Sequence, residues 1–301
     1  MTTRTGNFSN LLAPGLRKIW FDDFKGYPKE FDKIFNVNDS KKNYETDYEM
    51  SMLGGSFPAK PEGESIQYVD PKAGNTKTYT HASFGMGFRV TEEMYEDDLY
   101  GKMKRMDKGL SKAQNNTIEL NAIAVLDDAF GGVGTYTGFD GFCLCYASHT
   151  VLYTGGTYGN TPSTQLDLSM TALQAAITNI EKTVDSDGVL MVLKPKWIII
   201  APDNKFIARE LLKSEYKPYT SGNEINALMD EELKYFVTHY LADTDAWFLQ
   251  CSEHDLNFFW RRKPRFDNSD DFDTGDAKFK ATHRSIQGFG SWRGIYGSSG
   301  G

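Results

Sequence analysis

The chain has 301 residues, of which 40% are hydrophobic and 25% are charged, so it can form one large or two modest folded domains. Its 41 acidic residues outnumber its 33 basic residues, and the formal net charge of -8 disfavours a nucleic-acid binder that reads sequence. Three cysteines argue against a disulfide framework, and neither a transmembrane-length apolar run nor a signal-peptide core is present, so we expect a soluble cytoplasmic product.

Residues 1–50 are rich in large apolar side chains with partial helical spacing. Pro14 and Pro28 are expected to break this pattern, because proline removes a helical hydrogen bond. One interpretation is an amphipathic helix packed on the main core. The other is an arm that lies on a neighbouring subunit, since an exposed apolar segment usually finds a partner.

The next stretch predicts a long hairpin. Ser65–Val69 has the composition of a short strand, and Asp70–Asn75 has turn chemistry. Apolar residues at alternate positions from Phe84 to Val90 then predict a half-buried strand. An ordinary surface hairpin fits this pattern, and its length and polar, glycine-rich tip also fit a hairpin that projects from the body.

A long amphipathic helix follows. Thr91 is a suitable N-terminal cap, and Glu92 and Glu93 place negative charge in the first turn. Apolar and small residues then recur at steps of three and four: Tyr95, Leu99, Met103, Met106, Leu110, Ala113, Thr117, Leu120 and Ala124. We expect the helix to end near Phe130, before Gly131, and to lie against a sheet, because its seam is too poor in leucine and isoleucine for a coiled coil.

Residues 133–250 alternate strands with helices, which is typical of an α/β domain. Ser169 is predicted to cap one helix, and Pro202 to open another that carries Phe206, Ile207, Leu211 and Leu212. The predicted strands are Val189–Leu193, Trp197–Ala201, Lys234–His239 and Ala246–Cys251.

The C-terminal stretch predicts three further strands. The first, Leu256–Arg262, precedes an acidic loop at Asp267–Asp271. In the second, Ala277–Ser285, apolar residues and His283 alternate with charged ones, which predicts one buried face. The third, Gly288–Gly297, is aromatic and glycine-rich, and we expect it to be tied into a sheet.

The sequence lacks the usual catalytic motifs. It has no Gly-Lys-Ser/Thr phosphate loop and no serine between glycines at nucleophile-elbow spacing. Gly132, Gly134 and Gly138 miss the dinucleotide-binding spacing. We therefore predict no catalytic residue and no cofactor.

Cysteine and histidine give the best metal candidate. Cys143, Cys145 and His149 lie close together in sequence, and Cys251 and His254 are possible additions. Their side chains suit zinc, but Cys-x-Cys is not the usual spacing and buried cysteines are common core residues. The acidic residues 267–276 lack the order of a calcium loop. We predict no metal site.

One dense basic cluster remains, with Trp260 and Phe266 beside it; its members are Arg261, Arg262, Lys263 and Arg265. A nucleic-acid patch has this composition. One side of a charged contact between subunits has it too, and the acidic loop that follows offers a partner. The acidic chain as a whole favours the contact.

Four phrases, in this order and spacing, resemble the major head subunits of Mu-like tailed phages. They are Gly87–Glu93, Lys196–Pro202, Leu241–Leu249 and the closing Gly-Phe-x-x-Trp-Arg-Gly of Gly288–Gly294. That family has the Hong Kong 97-type capsid fold. The resemblance covers essentially the whole chain.

The resemblance implies an α+β fold with five regions. Residues 1–50 would be the N-terminal arm and residues 51–88 the extended hairpin loop. Residues 89–132 would be the peripheral domain with its spine helix, and residues 133–250 the axial domain. Residues 251–301 would return to the peripheral domain as its last strands.

The implied function is that of a major capsid protein. Its copies would form the hexamers and pentamers of an icosahedral phage shell that encloses double-stranded DNA without reading its sequence. The resemblance also implies assembly in the bacterial host cytoplasm, no enzymatic activity, and no membrane partner. The expected partners are portal and possible decoration proteins and, because the arm begins near Met1, a separate scaffold or none.

Some members of the family cross-link their subunits through lysine and asparagine. Lys60, Lys72 and Lys77 lie on the predicted hairpin, and Asn268 lies in the peripheral region, but nothing in the sequence pairs them. Three other functions stay open: an encapsulin-like nanocompartment shell, a metal-binding enzyme built on the cysteine and histidine residues, and a small oligomeric binding module.

Overall fold

The computed structural model describes residues 9–51, 57–66, 68, 70–91, 93–94, 100–216, 224–271, 274 and 276–301. The helices whose bounds are described are α1 (Ser9–Gly26), α2 (Phe31–Ile34), α3 (Tyr100–Asp127), α4 (Met170–Glu181) and α5 (Lys205–Lys213). The strands are β1 (Asn36–Asp39), β2 (Tyr44–Met50), β3 (Ala73–Thr80), β4 (Ala82–Val90), β5 (His149–Thr150), β6 (Thr157–Tyr158), β7 (Pro195–Ile200), β8 (Lys234–Val237), β9 (Trp247–Cys251), β10 (Leu256–Asp270), β11 (Ala277–Phe289) and β12 (Ile295–Ser298).

The chain forms two compact units, and each unit is built from three separate segments. Unit 1 consists of Met1–Glu45, Tyr79–Ala122 and Phe258–Gln287. Unit 2 consists of Thr46–Thr78, Ile123–Asn257 and Gly288–Gly301. The chain therefore passes between the two units five times in its length.

A four-stranded sheet in the order β1-β10-β11-β4 supports unit 1. β11 pairs antiparallel with β4, and Phe279 lies opposite Phe88. Phe279, Ala281 and His283 are buried while the residues between them are more exposed, which confirms the predicted alternation. β10 continues through Asp270, so the prediction of an acidic loop at Asp267–Asp271 was wrong for most of that stretch.

Helix α1 includes Pro14, so the predicted break at this proline was wrong. Leu16, Trp20 and Phe24 recur every four residues and are buried in unit 1. An interior proline costs a helix about 3 kcal/mol, whereas burying each large apolar side chain contributes about 1.5–3 kcal/mol. The three buried residues outweigh the proline, and α1 follows the first interpretation of the N-terminal region, a helix packed on a core.

Helix α3 ends near the predicted position, but its buried face is not the predicted seam. The Thr91 hydroxyl accepts the backbone N–H of Met94 at 3.3 Å, and α3 begins at Tyr100; Glu92, Tyr95 and Leu99 lie outside the described residues. Leu120 was predicted on the seam but is 47% exposed. The buried face also holds five polar residues, Asp107, Ser111, Gln114, Asn115 and Glu119. Apolar spacing alone could not place a face that is partly polar.

The hairpin forms from different strands than predicted. β2 pairs with β3, and the described residues between them, 51, 57–66, 68 and 70–72, belong to neither strand. Ser65, Ile66 and Tyr68 have no regular secondary structure, and β3 begins within the predicted turn. Proline lacks the N–H that a ladder requires, and three prolines between residues 58 and 71 oppose a strand there. The predicted strand before Val90 does form, but as β4 it pairs with β11.

Unit 2 contains a second four-stranded sheet, in the order β12-β9-β7-β8. β7 is parallel to β8 and antiparallel to β9, and the buried core between this sheet and helices α4 and α5 includes Leu173, Ile198 and Leu211. The predicted helix cap at Ser169 is confirmed, since its hydroxyl accepts the N–H of Ala172.

One predicted strand of unit 2 does not form. Val189–Leu193 is not a strand: Leu190 makes an isolated bridge to Val184, and Val192 has a φ of 54°. In α5, Phe206 is 68% exposed, because the helix buries the face that carries Ala208, Leu211 and Leu212.

Candidate assembly surfaces

The buried cysteines of unit 2 were the best metal candidates in the sequence. All three thiols are free. Burial raises the pKa of Cys251 to about 12 and raises the pKa of Cys145 well above its usual value. Burial lowers the pKa of His254 to about 4, and its Nδ1 accepts the N–H of Leu256 at 3.2 Å. Metals and electrophiles need the thiolate, so these protonated thiols are core residues.

His149 is fully buried, and both of its ring nitrogens are engaged. Nδ1 lies 2.6 Å from the carboxylate of Asp140, and Nε2 lies 3.0 Å from Oδ1 of Asn160. The amide nitrogen of Asn160 donates to the carbonyls of Leu144 and Ile295, which fixes Oδ1 as an acceptor. Among the described residues no group of three or more histidine, cysteine or acidic residues could hold a metal ion. The metal site considered from the sequence is not formed.

The closing motif has a physical role in unit 2. The ring of Trp292 stacks on His149 with a centroid distance of 4.5 Å, and the Arg293 guanidinium lies 4.9 Å from the Trp292 ring. Gly294 has a φ of 84°, and a Cβ atom there would collide with the carbonyl of Glu253. The Trp-Arg-Gly phrase therefore combines a stacked ring, a buried cation and a backbone turn that requires glycine.

Arg293 holds the C-terminal end of β2 in place within unit 2. Its Nε donates to the carbonyl of Val184 at 2.7 Å, and its Nη1 lies 3.4 Å from the carboxylate of Glu49 on β2. The hydroxyl of Ser186 also donates to Glu49. Sequence reasoning missed this role of Glu49, because a single acidic residue in a polar strand gives no signal of a distant buried partner.

The hairpin carries an exposed apolar row. Tyr44, Tyr48 and Met50 lie at alternate positions of β2 and are 54%, 59% and 50% exposed. Thr46 shares this exposed face, whereas the acidic residues of the other face, which include Glu49, are less exposed. Exposed apolar rows of this kind mark surfaces that contact another protein. Sequence reasoning missed this surface, since β2 lies within the predicted arm.

The lysines considered for cross-links have different surroundings. Lys77 donates to the hydroxyl of Thr137 at 3.1 Å, and burial lowers its pKa. The Lys72 ammonium lies 5.9 Å from the ring of Tyr153, whose hydroxyl donates to the Lys72 carbonyl at 2.9 Å. Lys60 is exposed. Lys72 and Lys77 therefore have structural contacts in unit 2 itself.

The basic cluster lies on β10 in unit 1. Arg261, Lys263 and Arg265 are exposed and two residues apart, so they share one face of the strand. Lys263 pairs with Asp39 at 2.8 Å, and Arg265 pairs with Asp267 at 2.9 Å. These pairs leave less positive charge for a phosphate backbone, which favours the protein-contact interpretation.

Two buried carboxylates lie on α3 in unit 1. Asp107 is fully buried, and its carboxylate oxygens have no hydrogen-bond partner among the described residues. Burial, and secondarily the charge of Asp23, raises its pKa to about 7. Glu119 accepts the N–H groups of Glu30 and Phe31, both at 3.0 Å, yet burial raises its pKa to about 7 as well.

Comparisons with known proteins agree with the fold. A family model described as "Phage capsid protein" matches residues 74–298, more than half of the chain. A structure from Microbacterium phage Oxtober96 is 10% identical, with a TM-score of 0.57 and coverage of 91% of this chain and 92% of that one. The mature capsid of bacteriophage PhiM1 is 11% identical, with a TM-score of 0.56 and coverage of 90% and 86%.

A virus-like particle from Pyrococcus furiosus is 10% identical, with a TM-score of 0.56 and coverage of 95% of this chain and 98% of that one. Comparison with curated protein sequences returned no match. No helix within the described ranges is long and apolar enough to span a membrane.

The two kinds of comparison establish different things. Structural similarity at 10–11% identity establishes the fold, and the family match establishes the family. The particular resemblance of the sequence to Mu-like phages stays a prediction. The chain belongs to the phage capsid protein family, has the Hong Kong 97-type fold, and is a structural subunit of a phage head.

Proposed function

We propose that this chain is the major head subunit, and that its hexamers and pentamers close into an icosahedral shell around double-stranded DNA. The proposal rests on the exposed apolar row of β2 in a chain that belongs to a capsid family. Arg293 holds this strand in place through its contact with Glu49. A row that stays exposed on one copy is buried when another copy covers it. Many modest contacts of this kind, repeated over a closed lattice, add up to a stable shell.

The proposed regions keep the boundaries of the sequence prediction. Residues 1–50 form the arm region, and residues 51–88 form the hairpin loop that contacts a neighbour. Residues 89–132 and 251–301 form the peripheral domain, and residues 133–250 form the axial domain near the centre of each ring. The family match supports this division, although β12 pairs with β9 and groups Gly288–Gly301 with unit 2.

The proposed partners are further copies of the chain, a portal, a separate scaffold and possible decoration proteins. Assembly takes place in the host cytoplasm. The subunit is not an enzyme, has no catalytic, cofactor or metal site, and contacts DNA without reading its sequence. The net charge of -8 supports a wall that encloses DNA with little adhesion.

Electron microscopy of the purified chain, with light scattering on the same sample, tests the proposal. Closed shells, tubes or capsomer rings are expected. A monodisperse monomer or dimer that is unchanged by crowding agents or scaffold protein would contradict self-assembly. If particles isolated from the host enclose protein cargo and no DNA, the chain is a nanocompartment shell and the DNA part of the proposal is wrong.

A further inference from the structure

Unit 1 contains an open apolar cavity of about 320 Å³. Phe24 from α1, Phe31 from α2, Ile118 from α3 and Trp260 from β10 form its floor, and each of them is at least nine-tenths buried. Ligand pockets in proteins have volumes of about 300–1,000 Å³ and are lined mainly by apolar and aromatic side chains with a few polar groups. The cavity therefore has the lining of a ligand site, and its volume suits a small ligand.

The polar groups of this cavity are three lysines and one amide. Lys25, Lys29 and Lys263 are exposed and form the rim, Asn115 is buried in the wall, and the described lining includes no acidic residue. Lys263 pairs with Asp39 at 2.8 Å, whereas Lys25 and Lys29 form no ion pair within the described part of the chain. Two cations at the rim are therefore available to a negatively charged group of a ligand.

The positive charge and the apolar floor lie side by side. The Lys29 ammonium lies 5.7 Å from the ring centroid of Phe24, whose own side chain is 8% exposed. A purely ionic ligand would leave the aromatic floor in contact with water, and a neutral apolar ligand would leave the two lysines without a counter-charge. The lining that the structure describes also lacks arginine, the side chain best suited to phosphate. These contacts favour a ligand that carries a carboxylate on an apolar body.

We propose that the cavity of unit 1 binds a small amphiphilic carboxylate, with its apolar body on the aromatic floor and its carboxylate facing Lys25 and Lys29. A medium-length acyl chain and a fused aromatic ring system are both bodies of suitable size, and with a carboxylate they share this chemistry. Binding does not require shell formation, because every described residue that lines the cavity belongs to one unit of a single chain. A ligand bound there contacts four elements of the fold at once.

The first experiment compares charged and neutral ligands of the same shape. Isothermal titration calorimetry measures the binding of octanoate and 2-naphthoate, and of their neutral alcohols octanol and 2-naphthalenemethanol, to the full chain at concentrations where light scattering detects no shells. Saturable binding of at least one carboxylate is expected, at least about threefold tighter than that of its alcohol. The tighter carboxylate identifies the preferred body. Binding of neither carboxylate, or equal binding of carboxylate and alcohol, overturns the proposal.

The second experiment removes the charge of the rim. Lys25→Gln with Lys29→Gln is expected to weaken binding of the carboxylate at least about threefold and to leave binding of the alcohol unchanged, since both lysines are exposed and the floor stays intact. The matched control, Lys108→Gln with Lys112→Gln, neutralises two exposed lysines of α3 at the same sequence spacing and is expected to bind like wild type. The same affinity in both double variants overturns the proposal, because the rim would then have no specific role.

The third experiment locates the ligand. A bromine-bearing analogue of the carboxylate that binds quenches a tryptophan on contact, and Trp260 lines the cavity. The quenching is expected to fall in Trp260→Phe and to persist in Trp197→Phe, at a half-buried position of β7 in unit 2. Undiminished quenching in Trp260→Phe would place the ligand elsewhere and overturn the proposal.

Assembled particles provide the last comparison. The same carboxylate is expected to bind to shells and to the free chain alike. Loss of binding on assembly would show that a second copy covers the cavity, which would overturn the small ligand and leave the capsid function intact. A wild-type chain that forms no shells under any condition contradicts the proposed function and leaves the ligand measurements on the free chain unaffected.

Discussion

Asp107 is a buried carboxylate that has no hydrogen bond among the residues described, and it makes unit 1 sensitive to pH. Its pKa is about 7 in the folded chain against an ordinary value of 3.8, so the folded state holds the proton more tightly. Stability therefore falls as pH rises from about 4 to about 7 and changes little above that range. We expect Asp107→Asn to unfold at a higher temperature than wild type at pH 8, and to show a flatter pH dependence.

Thermal unfolding at pH 5 and pH 8, followed by tryptophan fluorescence, measures this difference. Asp22→Asn on the exposed face of α1 serves as the control and is expected to keep the wild-type slope. Glu119 also has a raised pKa, so some pH dependence persists in the Asp107→Asn variant. Identical slopes for Asp107→Asn and wild type would show that the carboxylate ionises without cost.

Glu119 differs from Asp107 because its carboxylate accepts hydrogen bonds. It accepts two backbone N–H groups, from Glu30 and Phe31, at the start of α2. We expect Glu119→Ala to lower the free energy of unfolding by about 1–3 kcal/mol, since both donors would be buried without an acceptor. Glu119→Gln keeps one acceptor oxygen and should lose less. Urea unfolding measures the difference, and an unchanged midpoint for Glu119→Ala would mean that water replaces the carboxylate.

At the scale of elements, the stability of the hairpin depends on one buried arginine. Replacing Arg293 by methionine leaves Glu49 and the Val184 carbonyl without their partner, and breaking a buried pair in this way costs about 3 kcal/mol. We expect hydrogen exchange to accelerate in β2 in Arg293→Met. Arg209→Met, an exposed position of α5, is the matched control. Unchanged exchange in β2 would assign its stability to the β2–β3 ladder alone.

The packing of helix α1 on unit 1 depends on its aromatic residues. Trp20 is fully buried and stacks on Phe24 with a centroid distance of 5.1 Å. We expect Trp20→Ala to cost about 3–5 kcal/mol and to expose α1 to proteolysis. Phe206→Ala, at a side chain that is 68% exposed on α5, controls for the loss of an aromatic group. Equal protease sensitivity of the two variants would contradict the docking of α1.

The elements that could be predicted from sequence are those with a clear division between buried and exposed faces. β11 keeps a strict alternation because one of its faces is buried, and β9 is apolar throughout because all of its residues are buried. In the hairpin, the apolar row of β2 lies on an exposed face and β3 is mostly polar, so a search for buried apolar faces could not locate either strand. The seam of α3 was displaced because Asp107 and Glu119 are buried at positions that a hydrophobic pattern counts as exposed.

The candidate surfaces were harder to predict than the fold. The closing Trp-Arg-Gly phrase was noticed, but its partner Glu49 is far away in sequence and lies in a polar strand. The cavity of unit 1 draws its floor from four separate elements, and only folding brings Phe24 and Trp260 together. A site of this kind has no local spacing that a sequence could reveal.

At the scale of the whole molecule, the excess of acidic residues governs contact with DNA. The formal net charge is -8, and two of the exposed cations of β10 already have acidic partners in the chain. We expect the unassembled chain to give no saturable binding to a 30-base-pair duplex at physiological salt. Fluorescence anisotropy with two duplexes of unrelated sequence measures this. Tight binding that weakens steeply with added salt would restore the nucleic-acid interpretation of the basic cluster.

The interleaving of the two units also constrains how the chain folds during synthesis. β9 acquires its neighbour β12 only after the ribosome has made β10 and β11, which complete the other unit's sheet. Unit 1 cannot complete its sheet before β11 leaves the exit tunnel, nor unit 2 before β12 does, so the nascent chain presents open strand edges until a late stage. Dependence on a chaperone and slow, concentration-sensitive refolding follow from the order of the strands alone.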